Sequence, residues 1–269
     1  NKLKMKKISV AVTTFNTSKY LYSCLLPFLK YNFANEIVIT DDFSKNEEFQ
    51  NVENIIRKLN KKYENKIRLF RNEKNLGGFN NKYKTIKKCS NEIVYLFDSD
   101  NIPHKKTLSY IKNLINREFD ENILYSPGSI RLFKKNTLST PKRIIDRINI
   151  VDDDLVLDKN NIKTNIPESK ITNKGMDFVL NIGNFVFDKN VYLENAKAGV
   201  NKEVVVGACS IAGSYYWLKN NYKIKFSPNF SHYHRLRPDS YYVLKKETAD
   251  INVSYFLDQL MDKDDRKHT

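Results

Sequence analysis

The stretch "EIVYLFDSDN" (residues 92–101) decides the fold, because a buried strand runs directly into two carboxylates. The apolar run at 93–97 is typical of a strand in a parallel sheet that is covered on both faces. Asp98 and Asp100 stand at i and i+2, so an extended chain places both side chains on the same face. Neighbouring carboxylates repel each other unless a cation or full solvation offsets their charge. The stretch therefore predicts either a cation-binding end to a buried strand or a solvated turn before the next helix.

The residues before this stretch alternate between predicted strands and helices. Apolar runs predict strands at 8–15, 36–40, 66–71 and 92–97, and amphipathic segments predict helices at 17–31, 52–63, 79–88 and 108–115. This alternation predicts an α/β fold with a Rossmann-like, mostly parallel sheet flanked by helices. Ligands of such sheets bind beyond the carboxyl ends of the strands. The polar residues predicted at those ends are Thr13, Thr14, Asp41, Asp42, Arg71, Asp98 and Asp100.

The second half of the chain is less regular and predicts a smaller, mixed region. Residues 134–175 are polar and predict a flexible loop over the site. A strand turning into a helix is expected at 184–194, a helix within 204–222 and a last core strand at 223–228. We therefore divide the chain into residues 1–125, residues 126–245, and a C-terminal helix and tail at 246–269.

Composition restricts the classes of function. Across 269 residues, 41% hydrophobic and 29% charged residues describe an ordinary globular protein. The net charge of +15 favours anionic partners, yet the lysines are spread along the chain, which argues against a specific nucleic-acid partner.

No apolar run approaches the roughly 18 residues of a membrane span, so only peripheral membrane contact is left open. Three scattered cysteines, Cys24, Cys89 and Cys209, favour reduced thiols over disulfides or zinc. The lack of a signal segment, a span and disulfides predicts a cytoplasmic protein.

Four motifs carry a resemblance to a known family. They are "VAVTTFN" (10–16), "IVITDDFS" (37–44), "NLGG" (75–78) and "YLFDSDN" (95–101). Their order and spacing resemble those of family 2 glycosyltransferases with the GT-A fold, over about the first 125 residues. The resemblance implies metal-dependent transfer of a sugar from a nucleotide diphosphate sugar, usually a UDP-sugar, to a hydroxyl group. The acceptor would be a saccharide or a lipid-linked or protein-linked group in glycan synthesis, bound by residues 126–245.

The resemblance also implies roles for individual residues. Those expected to line the nucleotide pocket are Thr13, Thr14, Phe15, Asn16, Asn75, Gly77, Gly78 and Ser99. Asp41 or Asp42 would accept a hydrogen bond from the base, and Arg71 would meet the base or the phosphates. Asp98 and Asp100 resemble the family's D-x-D pair, which holds Mn²⁺ or Mg²⁺ against the diphosphate.

The late stretch "SHYHRLRPDS" (231–240) supplies a second group of candidates. The resemblance implies a further metal ligand here, His234 or in reserve His232. Arg235 and Arg237 suit diphosphate oxygens because the guanidinium presents its donors as a fixed fork. The alternative is a surface loop with solvated side chains, which we also expect for "DDD" (152–154).

The general base has no clear candidate in the sequence. Inverting members of the family usually carry a Glu-Asp pair ahead of the helix in the second half, and here Gly213-Ser214 stands in that place. Either the base is one of Asp188, Glu194, Glu203 and Asp239, or the reaction is not inverting. A nucleotidyltransferase is an alternative, although "TTFNTSKY" (13–20) lacks the usual glycines. A non-catalytic nucleotide-sugar or anion-binding relative that lost its base is another.

Overall fold

The structure is a computed structural model that describes residues 6–64, 66–134, 136–137, 140–141, 144–162 and 179–261. The strands of the first half are β1 (Ile8–Thr14), β2 (Glu36–Asp41), β3 (Ile67–Arg71), β4 (Ile93–Asp98) and β5 (Ile102–Pro103). Those of the second half are β6 (Ile123–Phe133), β7 (Asn136–Thr137), β8 (Thr140–Pro141), β9 (Ile144–Asn149), β10 (Leu155–Leu157), β11 (Val186–Asp188) and β12 (Lys223–Arg235).

The helices flank these strands as the apolar periodicity predicts. They are α1 (Ser18–Lys30), α2 (Asn46–Lys62), α3 (Gly78–Lys87), α4 (Lys105–Arg117), α5 (Lys189–Ala196), α6 (Cys209–Lys219), α7 (Tyr241–Leu244) and α8 (Lys246–Met261). Within the described part of the chain, no helix combines the length and apolar content needed to cross a membrane.

The central sheet has the order β10-β12-β6-β11-β4-β1-β2-β3. Strand β1 is parallel to β2 and β4, and β2 is parallel to β3, as expected for the first half. In the second half, β11 is antiparallel to β4 and β6, whereas β12 is parallel to β6. The α/β prediction of a mostly parallel first half with a mixed second region is therefore confirmed.

Alternate residues of the strands bury opposite faces of the sheet in two apolar clusters. Val10 and Val12 of β1 pack with α1, α2 and α4. Ala11, between them, packs on the other face with α3, α5, α6 and α8. Trp217 of α6 is fully buried there, and its Nε1–H donates to the Lys223 carbonyl at 2.8 Å. Because helices cover both faces of the sheet, a ligand can reach it at the ends of its strands.

Two segments differ from the sequence predictions. The loop expected at 134–175 contains strands β9 and β10, which pair with β6 and β12, while residues 163–175 lie outside the described residues. Strand β12 does not stop at residue 228 but continues to Arg235, held by the parallel ladder with β6. The "HYHR" residues are thus in the sheet and not in a surface loop. The C-terminal helix is present as α8, and the tail at 262–269 lies outside the described residues.

Candidate functional site

The strand register brings the predicted polar residues to one edge of the sheet. Thr13 pairs with Asp98 across β1 and β4, and Thr14 pairs with Asp41 across β1 and β2. Beyond these strand ends lies a cavity of ≈ 730 Å³. Predicted site residues that line it are Thr13, Thr14, Phe15, Asn16, Asp42, Asn75, Gly77, Gly78, Asp98, Ser99, Asp100, His234, Arg235 and Arg237. Segments up to about 220 residues apart in the chain thus converge on one cavity.

A chain of buried hydroxyls fixes the turn at Ser99 to the end of β1. Thr14 Oγ1 lies 2.8 Å from Thr17 Oγ1, which lies 2.9 Å from Ser99 Oγ. Hydrogen bonds between buried polar groups restrict side-chain rotamers, because breaking them leaves unsatisfied groups. The position of Asp98 and Asp100 relative to the floor of the cavity is therefore fixed.

The structure separates the roles of Asp41 and Asp42. Asp42 lines the cavity and accepts hydrogen bonds from the backbone N–H groups of Leu76 and Gly77, both at 2.9 Å. Burial raises the pKa of Asp42 above its ordinary value, although these hydrogen bonds act in the opposite direction. Asp41 is fully buried behind it and accepts a hydrogen bond from the Ser44 backbone N–H at 3.0 Å. Only Asp42 is placed to meet a ligand.

Arg71 supports the site from outside and does not line the cavity. Its Nε lies 3.5 Å from Asp41 Oδ2, and its NH2 group donates to the Ser44 carbonyl at 2.7 Å. The guanidinium also lies over the Phe49 ring, 4.3 Å from its centroid. Arg71 therefore lies outside the cavity, because these partners hold its side chain away.

Asp98 has a cation partner that the sequence analysis missed. Lys82 Nζ lies 2.8 Å from Asp98 Oδ1, with only 8% of the Lys82 side chain exposed. Burial alone would raise the pKa of Asp98, but the Lys82 ammonium lowers it below its ordinary value. Lys82 lies on the buried face of α3 with Phe79 and Ile86. Counted from Phe79, Lys82 is at i+3 and Ile86 is at i+7. A lysine on an apolar stripe was the sequence signal for this buried ion pair.

Asp100 is paired with an arginine from the end of β12. Arg237 Nε lies 2.8 Å from Asp100 Oδ2, and Arg235 Nε donates to the Asp100 carbonyl at 2.9 Å. Arg235 is itself packed between the rings of Tyr20 and Phe133, with centroid distances of 4.3 and 4.5 Å. Each carboxylate of the "DSD" stretch therefore has its own cation within the chain.

The two histidines of β12 have different environments. His234 lines the cavity. His232 is fully buried behind it, with Nε2 3.0 Å from Asn184 Nδ2 and its ring edge-on to Phe97. Burial lowers the pKa of His232 to about 3, so its imidazole is neutral. Of the two predicted metal ligands, His234 is the one at the cavity.

The donor groups at the cavity suit a hard divalent cation whose coordination shell is completed by the substrate. Asp98, Asp100 and His234 supply carboxylate oxygens and an imidazole, the donors that Mn²⁺ accepts. Among the described residues, no three His, Cys, Asp or Glu side chains form a cluster that could hold an ion. Mg²⁺ commonly uses one or two carboxylates and completes its shell with phosphates and water, so the residues fit a site of that kind.

The structure divides the predicted base candidates. Asp188 pairs in register with Ile93 at the start of β4, so it lies at the opposite edge of the sheet, where it caps α5. Glu194 and Glu203 are exposed and do not line the cavity. Asp239 does line it, and its Oδ2 lies 3.3 Å from Lys19 Nζ. Of the four candidates, Asp239 is therefore the one that lines the cavity.

The helix that should follow the acidic pair also differs from the prediction. Gly213 and Ser214 are buried inside α6, where Ser214 Oγ donates to the Leu180 carbonyl at 2.9 Å. The residues of α6 that line the cavity are Cys209 and Ser210, at the start of the helix. Neither carries a carboxylate, so α6 supplies no acid to the cavity.

Asn184 is a second contributor that sequence reasoning did not identify. Its Oδ1 accepts a hydrogen bond from the Asp98 backbone N–H at 2.9 Å, and it has a positive φ of 61°. The same side chain contacts His232. Asn184 therefore joins the end of β4 to β12, a link between residues far apart in sequence that no local pattern indicates.

Comparisons with known proteins agree with this architecture. Two curated relatives from Staphylococcus aureus, both poly(ribitol-phosphate) beta-N-acetylglucosaminyltransferase TarS, are 31% identical over 124 residues, which is 45% of this chain and 21% of each relative. The chain thus spans about a fifth of the length of the curated relatives it matches.

Solved structures show the same fold. The structure of S. aureus TarS 1-349 in complex with UDP superimposes with a TM-score of 0.58 at 18% identity, covering 95% of this chain and 69% of that one. The structure of GalNAc-T7 with UDP, GalNAc and Mn²⁺ gives 0.56 at 16% identity, covering 94% and 50%. The likeness assigns the GT-A fold to this chain.

The family is given by the sequence itself. Residues 9–143 match the family model described as glycosyl transferase family 2. This range contains most of β1, all of β2 to β4, the "NLGG" loop and the "DSD" stretch. Thr13, Asp42, Gly77 and Asp98, which lie within it, line the cavity. The expected resemblance is confirmed: the chain belongs to the family 2 glycosyltransferases.

Proposed function

We propose that this protein transfers a sugar from a UDP-sugar to a hydroxyl acceptor with the help of Mn²⁺ or Mg²⁺. One observation carries the proposal. Three kinds of group line the same ≈ 730 Å³ cavity: the Asp42 carboxylate, the neighbouring carboxylates of Asp98 and Asp100, and the two arginines Arg235 and Arg237. A nucleoside diphosphate sugar needs one such group at its base and the other two at its diphosphate. The TarS and GalNAc-T7 structures with UDP support the choice of nucleotide.

Asp42 is the proposed partner of the base. A carboxylate accepts a hydrogen bond from the N–H of uracil, and the neighbouring Gly77 has a φ of 81° that favours glycine. The backbone at Gly77 and Gly78 leaves room for the nucleotide, since a Cβ on Gly77 would meet no atom within 4 Å.

Arg237 and Arg235 are the proposed partners of the diphosphate. Their guanidinium groups lie at the Asp100 end of the cavity, where the leaving group gains charge as the anomeric carbon–oxygen bond breaks. A cation held by Asp100 and His234 would stabilise the same charge when bound. A cation at Asp100 competes there with Arg237, so we expect Arg237 to turn from Asp100 toward the phosphates.

Asp239 is the proposed general base. In the reaction, the acceptor oxygen bonds to the anomeric carbon, the electron pair of the broken bond leaves with UDP, and the hydroxyl proton passes to a carboxylate. Among the described residues, the carboxylates on the cavity are Asp42, Asp98, Asp100 and Asp239. Asp42 is proposed for the base and Asp98 and Asp100 for the cation, which leaves Asp239 for the acceptor proton. The Lys19 and Arg237 contacts hold the pKa of Asp239 below its ordinary value, so the carboxylate is ionised at neutral pH but is a weak base.

Calorimetry with UDP and Mn²⁺ tests the donor site, and a panel of nucleotide sugars then tests the reaction. We expect heat with UDP and Mn²⁺ for the wild type, little for Asp100→Ala, and hydrolysis or transfer of one UDP-sugar. No heat with the wild type would refute the donor site.

A non-catalytic nucleotide-sugar-binding relative is the second candidate, and the lack of an acid on α6 favours it. UDP binding without turnover of any sugar nucleotide, unchanged in Asp239→Asn, would support that alternative over the transferase.

A further inference from the structure

A pair of arginines faces a different region from the cavity. Arg131 of β6 and Arg147 of β9 are direct partners in the antiparallel ladder between these strands. Side chains at such positions lie on the same face of the sheet with Cβ atoms about 5 Å apart. Their neighbours in the ladder, Ile130 and Ile148, point to the opposite face and are buried. The two arginine side chains therefore leave the sheet next to each other on the same side.

No carboxylate compensates this pair within the described part of the chain. The ion pairs found there involve neither Arg131 nor Arg147. In addition, Arg131 Nε is buried and has no hydrogen-bond partner among the described residues. Like charges opposite each other on a sheet are destabilising, and a buried donor without a partner is costly. An anionic ligand would remove both costs at once.

Further groups lie beside the pair. On its other side, Arg131 is in register with Tyr233 of β12, and the His104 ring stands edge-on to Tyr233 at a centroid distance of 5.2 Å. Burial, together with the charges of Arg131, Lys106 and Arg147, lowers the pKa of His104 to about 4. We call Arg131, Arg147, Lys106 and His104 the Arg131 cluster. It combines the partly buried Arg131 and two exposed cations, Arg147 and Lys106, with a neutral imidazole.

We propose that the Arg131 cluster is a phosphate-binding site, separate from the donor cavity, that holds a phosphate group of the acceptor. Two guanidinium forks suit the tetrahedral oxygens of a phosphate better than a single carboxylate. None of the cluster residues lines the donor cavity. Tyr233 and Arg235 lie on the same face of the sheet as the cluster, and Arg235 reaches the cavity from that face, whereas Ile130 and His234 line the cavity from the opposite face. As an acceptor site, the cluster rests on the proposed transferase function.

The test uses the whole chain and inorganic phosphate at constant ionic strength. The arginine Nε–H resonances are followed by NMR, with the Arg131 signal assigned by its loss in Arg131→Gln. We expect a saturable shift of this signal in the wild type and in Asp42→Asn. We expect the phosphate affinity reported by the Arg131 signal to be about tenfold weaker in Arg147→Gln, since charge-assisted hydrogen bonds are lost. The exposed Arg57→Gln, on α2, is the matched control and should change nothing.

The variants also separate this proposal from the proposed function. Arg131→Gln/Arg147→Gln should keep UDP binding, whereas Asp42→Asn should lose it and keep phosphate binding. Phosphate binding without UDP binding in the wild type would refute the proposed transferase function and would still support the phosphate site. A shift of the Arg131 signal that does not saturate in the wild type, or a phosphate affinity that is unchanged in Arg147→Gln, overturns the phosphate site.

Vesicles distinguish the source of the phosphate. The wild type and the double variant are sedimented with phosphatidylglycerol vesicles and with phosphatidylcholine vesicles. If inorganic phosphate causes no shift while the double variant alone fails to bind phosphatidylglycerol, the cluster serves a membrane surface and the acceptor proposal is wrong.

Discussion

Arg237 Nε lies 2.8 Å from Asp100 Oδ2, with 12% of the Arg237 side chain and 20% of the Asp100 side chain exposed. The Lys82–Asp98 pair, also at 2.8 Å, repeats the arrangement on the neighbouring carboxylate. The chain thus offsets the repulsion between Asp98 and Asp100 with its own cations. Any further cation at Asp100 must compete with Arg237, and this competition can be measured.

We expect Arg237→Gln to bind Mn²⁺ more tightly and UDP more weakly than the wild type. Removing the competing guanidinium should strengthen Mn²⁺ binding roughly fivefold, since a partly exposed ion pair contributes about 1 kcal/mol. Titration of Mn²⁺ into the free protein, followed by electron paramagnetic resonance, measures the first effect, and calorimetry with UDP measures the second. Arg57→Gln is the control, and equal Mn²⁺ affinity in both variants would show that Arg237 does not compete.

Lys82→Met should destabilise the fold by about 2–4 kcal/mol at pH 7, because Asp98 would keep a largely buried charge without its partner. The pKa of Asp98 would then rise, since burial would no longer be opposed by the ammonium. The loss should therefore shrink as the pH falls and Asp98 takes up a proton. Urea unfolding at pH 7 and pH 5 measures both effects. Lys82→Arg should retain most of the stability, and an equal loss in that variant would point to packing and not to charge.

Asp42→Asn and Asp41→Asn should affect different properties, the first the affinity for UDP and the second the free energy of unfolding. Asp42→Asn should weaken UDP binding by about tenfold or more, because the cavity loses a charged acceptor. Asp41→Asn should lower the free energy of unfolding, since Asp41 is fully buried beside Ser44 and Arg71, and should leave the UDP affinity of the folded protein nearly unchanged. Calorimetry and urea unfolding on both variants check this assignment, which a larger loss of UDP affinity in Asp41→Asn would reverse.

Gly128→Ala should destabilise the protein by roughly 1–3 kcal/mol or more, as overpacking does. A Cβ at residue 128 would lie 2.3 Å from the Ser227 backbone, where the ladder between β6 and β12 shifts register. Gly78→Ala is the matched control, because its Cβ would make an ordinary contact of 3.6 Å with Cys209 Sγ. Thermal unfolding compares the two, and similar melting temperatures would contradict the close approach at Gly128.

His104 should titrate near pH 4 in the wild type and at a higher pH in Arg131→Gln/Arg147→Gln. The cations of the Arg131 cluster disfavour the imidazolium, so removing two of them raises the pKa, while burial still holds it below the ordinary value of 6.5. A histidine whose folded pKa is lowered costs stability as the pH falls from about 6.5 toward 4, because the unfolded chain binds the proton first. NMR titration of the histidine ring protons measures the shift. An unchanged His104 pKa would mean that burial alone sets it.

Much of the fold was predictable, because local patterns specify it. The apolar runs at β1 to β4 and the helical periodicity between them required only a period of two or 3.6 residues. The carboxyl-edge location of Asp42, Asp98 and Asp100 followed from the parallel arrangement alone. The strands within 134–175 were missed, since β9 has mostly exposed residues and is held by its pairing with β6.

The α/β fold, the family and the strand ends at which the polar residues gather could all be read from the sequence. Tertiary packing selects which of these residues face the cavity: Asp42 and not Asp41 does so, His234 and not His232 does so, and Arg71 lies outside it. It also decided the partners of the "DSD" stretch, Lys82 and Arg237. The physical reason is range: periodicity is a property of neighbouring residues. An ion pair such as Asp100–Arg237 depends on the packing of segments that are distant in the chain.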